Sequence, residues 1–292
     1  MTAYPWLWIV FTIIAAAAQT VRNAMQRELT GALGALGATH VRFLFGFPFA
    51  LVFLAALMLW TGARLPATGW AFWLWVIEGS AAQIAATALM LVAMGERSFV
   101  VTIAYLKTEP IQVAIFGLIF LGDRVTAPMA TAGVLVMSTK PGGMVGGLRP
   151  TLLGLASGGT FALSAIGYRG AILSLGLPNY MMAATFTLAV GLVATTVMLS
   201  LYLLVRAPGV MTAIFKVWRR SMSAGFMGAF ASQFWFLAFA LATAASVRTL
   251  ALVEVLFAQL VARFAFDQRT TAREAVGMAL VVAGVVLLIL AY

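Results

Sequence analysis

The chain has 292 residues, 63% hydrophobic and only 9% charged, with no cysteine and one histidine. A soluble domain carries about 25% charged residues to solvate its surface, so 18 basic and 8 acidic side chains exclude an ordinary water-soluble globule and leave lipid as the solvent. The net charge of +10 does not point to nucleic acid, because the basic residues are scattered among apolar runs and make no continuous basic face. With no Cys and with His40 alone, neither thiol chemistry nor a metal site is expected, and no cofactor.

Crossing a bilayer takes about 20 largely apolar residues, and the sequence offers ten such windows. They lie at roughly 5–22, 42–61, 69–93, 99–121, 127–145, 151–174, 180–205, 222–242, 246–265 and 272–291. Met1–Pro5 carries no basic side chain, so the first window reads as a retained span and not a secretory signal. The longest polar stretches are Arg22–His40 and Arg206–Ser221, and no segment is left for a soluble domain. Trp6, Trp8, Trp60, Trp70, Trp73, Trp75 and Trp218 fall at span ends, where amphipathic rings anchor at headgroup depth. Trp235 lies well inside the eighth span.

The chain also matches itself. A shift of 145 residues places Glu109 on Glu254, Arg124 on Arg269, Thr126 on Thr271 and Gly46 on Gly191, and a shift of 147 places Arg22 on Arg169. Thr126 and Thr271 are placed to cap the helices that follow them. Duplication divides the chain into 1–148 and 149–292. Five spans per copy is an odd number, so the copies lie in opposite orientation. The expected fold is an all-α integral membrane protein of ten transmembrane helices, built as two inverted five-helix repeats. Such repeats place a substrate site at the midplane and work by alternating access.

The segment Ser98–Gly133, with Thr108-Glu-Pro-Ile111 and Leu121-Gly-Asp-Arg-Val-Thr126, its weaker copy Glu254–Ala279, and Arg42-Phe-Leu-Phe-Gly46 at the head of the second span resemble the drug/metabolite transporter superfamily of EamA type. The resemblance covers essentially the whole chain. The usual Gly-Glu turn is Gly122-Asp123 in the first copy and Asp267-Gln268 in the second, and no proline follows Glu254. The resemblance implies export of amino acids, other metabolites or drugs across a bacterial cytoplasmic membrane, exporters of aromatic amino acids of the YddG type being one group.

An ionisable group at mid-bilayer costs at least about 2.5–3.5 kcal/mol, so each must face protein or water and each marks a candidate site. Glu78, Glu109, Glu254 and Lys107 qualify; they serve a substrate, or they neutralise one another and pin helices together. In the fourth span Tyr105, Thr108, Glu109 and Gln112 share one helical face, and Pro110 removes a backbone donor, which predicts a kink that either gates the pathway or shapes packing. In the ninth span Glu254 and Phe257 share the matching face; Gln83 follows Glu78, and Gln233 and Trp235 add an amide and a ring from the eighth span, where Gly225 and Gly228 leave room. The stripe Gln19, Arg22, Asn23, Gln26 and Thr30 reads as a helix end emerging into water or as the mouth of the pathway, the former being preferred. A cavity of carboxylates, amides and rings suits a zwitterionic or aromatic metabolite, Lys107 or a backbone amide meeting its carboxylate and a Glu its ammonium, and would serve a lipophilic cation almost as well.

Four Lys and Arg residues fall on the side of the termini and thirteen on the other, which places the termini outside the cytoplasm by the positive-inside rule, opposite to the usual description of the superfamily. The expected function is a secondary transporter exporting small metabolites, with amino acids first. A multidrug exporter of lipophilic cations is the rival within that class, and a channel or structural bundle the alternative outside it. An enzyme is not expected, since Asp123 and Asp267 lie in turns and His40 provides no dyad. The expected partners are a small-molecule substrate and the bilayer, with no nucleic acid. Proton coupling and the choice between monomer and homodimer stay open.

Overall fold

The computed structural model describes residues 6–96, 102, 106, 109–123 and 148–265. All regular structure among them is helical: α1 Leu7–Leu44, α2 Phe47–Thr61, α3 Trp70–Glu96, α4 Glu109–Phe116 with a π-turn at Gly117–Leu121, α5 Leu148–Ser174, α6 Tyr180–Arg206, α7 Pro208–Lys216, α8 Trp218–Leu241, α9 Ala244–Leu250, and α10 Glu254–Ala265 after a 3-10 turn at Ala251–Val253. Six stretches of the described residues are long and apolar enough to cross a membrane: Leu7–Thr61, Trp70–Glu96, Arg149–Ser174, Tyr180–Arg206, Trp218–Leu241 and Ala244–Val261. This is the make-up of a multi-pass membrane protein. The spans expected at 127–145 and 272–291, and the two Arg-x-Thr-Ala turns, lie outside the described residues.

Leu7–Thr61 holds 55 residues, about 80 Å as a straight helix against a hydrocarbon core of about 30 Å. It is not straight. Gly34 has φ 67° and ψ 174°, a conformation that favours glycine, and interrupts the helix. The Gln26 amide then donates to the Ala38 carbonyl at 2.9 Å, although 12 residues of straight helix would hold them about 18 Å apart. The chain folds back at Gly34, and 7–33 and 35–61 are two limbs. Backbone bonds from Phe45 to Val41 and from Ala50 to Gly46 carry the second limb across Phe45 and Gly46.

This corrects the preferred reading of the stripe Gln19, Arg22, Asn23, Gln26 and Thr30 as a helix end emerging into water, and of Arg22–His40 as a connection between spans. Arg22, Asn23, Gln26, His40 and Arg42 are all buried. Polar side chains that face a bundle interior depress hydropathy as much as a loop does, so the second limb begins near residue 35 and not 42. Trp8 is likewise buried and is no interfacial anchor, whereas Trp60 and Trp70, at the two ends of the 62–69 connection, are exposed. The polar stretch 206–221 contains the short helix α7, with Arg206, Lys216, Arg219 and Arg220 exposed around Phe215 and Trp218. Capping fixes other boundaries: the Asn179 side chain accepts from the Met181 and Met182 amides at the start of α6, and Thr243 accepts from the Ser246 amide at the start of α9.

The most extensive helix–helix contacts are those of α3 with α5 and of α1 with α8. Small residues make the first possible. A Cβ on Gly167 would lie 2.8 Å from the Gly79 Cα, and one on Gly170 would lie 2.5 Å from the Trp75 ring. Between the second limb and α8, a Cβ on Gly225 would meet the Phe45 carbonyl carbon at 2.6 Å. Without a solvent-driven force between helices in lipid, such close backbone approach is what holds a bundle together.

Candidate functional site

Where these helices meet, a narrow cavity is lined by Gln19 and Arg42 of α1, Gln83 of α3, Ser164 and Tyr168 of α5, Ser232, Trp235, Phe236 and Phe239 of α8, and Arg248 of α9. Two polar networks build its walls. In one, the Trp235 indole N–H donates to Gln19 Oε1 at 2.9 Å. The Gln19 amide donates to the Glu254 carboxylate at 3.2 and 3.3 Å, and the Asn23 amide adds a weaker contact at 3.4 Å. Asn23 Oδ1 in turn accepts from Arg22 at 2.7 and 3.2 Å. In the other network, Arg42 donates to Thr87 Oγ1 at 3.1 Å, the Gln83 amide donates to the same oxygen at 3.3 Å, and the Ser164 hydroxyl donates to Gln83 Oε1 at 2.9 Å.

Arg248 joins the first network through the indole. Its Nε lies 3.0 Å from Glu109 Oε1, and its guanidinium stacks on the Trp235 ring at 4.4 Å and beside Phe239 at 5.3 Å. An indole face attracts a desolvated cation by its quadrupole, so the ring and the carboxylate hold the guanidinium together. Glycine again makes the room: a Cβ on Gly228 would lie 3.4 Å from the Arg42 Cβ and 3.6 Å from the Arg22 Cδ.

The expected site residues divide. Gln83 and Trp235 line the cavity. Glu109 and Glu254 are buried and engaged in its walls. Pro110 is buried on α4 beside Glu109. Glu78 is half-buried at the α3–α5 contact, where a Cβ on Gly167 would fall 1.9 Å from its Oε2, and it is not a lining residue. Gln112 faces Gly159, Gln233 donates to Thr185 Oγ1 at 2.8 Å, and Phe257 packs on the apolar core, none of them at the cavity. Tyr105, Lys107 and Thr108 lie outside the described residues.

The sequence reading missed Arg42, Arg248, Ser164 and Tyr168, and it set Gln19 and Arg22 in water. The signal was present for some of them. Gln19, Arg22, Asn23 and Gln26 follow helical spacing, and a shift of 147 residues sets Arg22 on Arg169, which is also buried. Arg169 plays a different role. It donates to the Phe239 and Ala242 carbonyls at the end of α8 and lies 3.5 Å from Asp123, satisfying the acceptors that a helix C-terminus leaves open.

The chain matches no protein-family model and no curated protein. It is similar to a solved crystal structure of a protein at TM-score 0.71 and 15% identity, over 98% of this chain and 96% of that one. At that identity the likeness establishes a shared fold and nothing about substrate.

Proposed function

We propose that the chain is a secondary transporter that exports small metabolites, amino acids foremost, by alternating access across a bacterial cytoplasmic membrane. The observation that carries this reading is the polar cavity closed by side chains from both halves of the sequence, Gln19, Arg42 and Gln83 from one and Ser164, Tyr168, Trp235 and Arg248 from the other. Polar groups buried between apolar helices are costly unless function or pairing retains them, and a site shared by two halves opens to either side when one half rocks against the other.

The helix contacts support the inverted repeat in this proposal. If 1–148 and 149–292 are copies of five spans, α3 is the third span and α5 the sixth, while α1 holds the first and α8 is the eighth. The contact of α3 with α5 then pairs the third helix of one copy with the first of the other. The first limb returns the pairing through Gln19 with Trp235 and Phe11 with Phe234, while the second limb also packs on α8. A two-fold relation between the copies produces that pattern. The resemblance to EamA-type transporters points the same way.

Export of a lipophilic cation is the weaker reading, because among the described residues two arginines and no carboxylate line the cavity. The test is counterflow in proteoliposomes of the full chain, with labelled phenylalanine outside and excess unlabelled phenylalanine inside. A carrier accumulates label transiently. Equilibration without overshoot identifies a channel, and no flux of phenylalanine or other amino acids overturns the proposal.

A further inference from the structure

We infer that Arg42 docks the carboxylate of a monoanionic, largely apolar substrate. The inference rests on the transport reading of the same cavity and specifies which end of the substrate the site reads. Five charged side chains meet in and around the cavity: Arg22, Arg42, Arg248, Glu109 and Glu254. Arg248 is paired with Glu109 at 3.0 Å. Glu254 accepts from Gln19 and Asn23, and Asn23 receives Arg22. Arg42 stands apart. It is 4% exposed, it meets the neutral Thr87 hydroxyl at 3.1 Å and the Phe43 ring at 4.9 Å, and its Nε has no hydrogen-bond partner among the described residues.

A guanidinium buried without a carboxylate is an expensive arrangement unless an anion completes it. Among the described residues three arginines face two glutamates at the cavity, so a monoanion offsets their excess and a phosphate dianion overshoots it. The planar fork of donors matches a carboxylate in two parallel hydrogen bonds. Around Arg42 the cavity supplies the Tyr168 and Ser164 hydroxyls for the polar end, and Phe161, Phe236 and Phe239 for an apolar remainder. Among the described residues no carboxylate lines the cavity, and Glu109 and Glu254 are engaged in its walls, so recognition of an ammonium group is not required.

The test uses the purified full chain in nanodiscs and four probes read by calorimetry: 3-phenylpropionate, phenylalanine, phenethylamine and inorganic phosphate. The two carboxylates bind, and phenethylamine and phosphate do not. Arg42→Gln weakens 3-phenylpropionate about thirtyfold or more, the effect of removing one member of a buried charge pair, and Arg42→Lys retains part of the affinity because it keeps the charge without the fork. If Arg42→Gln does not fold, the wild-type probe series and Arg42→Lys decide. Phenethylamine binding as tightly as 3-phenylpropionate, an unchanged Kd in a folded Arg42→Gln, an Arg42→Lys indistinguishable from wild type, or a folded wild type that binds neither carboxylate each overturns the inference. Counterflow keeps the two readings separate. Binding through Arg42 without exchange leaves the carboxylate site standing and removes the carrier, while exchange of phenethylamine that does not depend on Arg42 does the reverse.

Discussion

The contacts of α3 with α5 and of α1 with α8 are the two most extensive among the described residues; both combine close glycine packing with polar side chains, in different proportions. At the first, glycines bring backbones together, Gly167 on Gly79 and Gly170 under the Trp75 ring. It holds two carboxylates: Glu78 is half-buried against Gly167, and Glu96 meets Arg149 where α3 ends and α5 begins. At the second, long polar side chains hold space open: Gln19 reaches Trp235 and Glu254, and Arg22 and Arg42 flank Gly228. The first is a seam that fixes two helices against each other. The second is a wall that can accept something else. If the two halves are copies, duplication has kept the contact and given each version its own work.

The sharpest way to break this contrast is to disturb the charge at the cavity. Arg248→Gln takes the guanidinium away from the buried Glu109 carboxylate and is expected to destabilise the protein by about 3–5 kcal/mol, seen as a lower midpoint of thermal unfolding in detergent. The double variant Arg248→Gln/Glu109→Gln should recover much of that loss. If the double is as unstable as the single, the ion pair of 3.0 Å is not what holds α9 to α4.

A smaller loss is expected at the seam. Gly167→Ala places a methyl 1.9 Å from Glu78 Oε2 and 2.8 Å from the Gly79 backbone, and such overpacking costs about 1–3 kcal/mol. Adding Glu78→Ala removes the first clash and not the second, so recovery should be partial. Full recovery would mean that the helices are not packed glycine on glycine.

Glu78→Gln separates the two regions by function. Glu78 does not line the cavity, so its neutralisation should leave the affinity for 3-phenylpropionate unchanged, as measured by calorimetry. A large loss would move the site to the seam. The smallest effect belongs to Arg149→Gln, whose guanidinium is 77% exposed in its 3.3 Å contact with Glu96; an exposed pair is worth about 0–1 kcal/mol, and the unfolding midpoint should barely move.

How much of this was legible depends on which property carried the signal. Apolar length is a local property, and the spans at 69–93, 151–174, 180–205 and 222–242 correspond to α3, α5, α6 and α8 within a few residues. The first two windows went wrong at their facing ends because Arg22, Asn23, Gln26 and Arg42 lower hydropathy whether they meet water or one another. Only the fold-back at Gly34, fastened by the Gln26 to Ala38 bond, distinguishes the cases, and it is a tertiary contact. The same limit governed the site. A charge inside an apolar run identifies depth and not direction, so Glu78 and Glu254 looked equivalent although one packs against Gly167 and the other joins a network. Arg42 and Arg248 were counted as charges of opposite sides of the membrane; buried in the bundle, they do not belong to that count.

The chain has no cysteine, which gives the cavity a clean probe. Ser232, a lining residue of α8, can be replaced as Ser232→Cys and exposed to a water-soluble, membrane-impermeant thiol reagent in sealed vesicles. If the cavity is the substrate path, the thiol reacts, and 3-phenylpropionate slows the reaction in a chain with Arg42 intact and fails to do so in Arg42→Gln. A thiol that reacts at the same rate with and without the carboxylate, in vesicles that nonetheless transport it, would place the path elsewhere and contradict the assignment of the cavity.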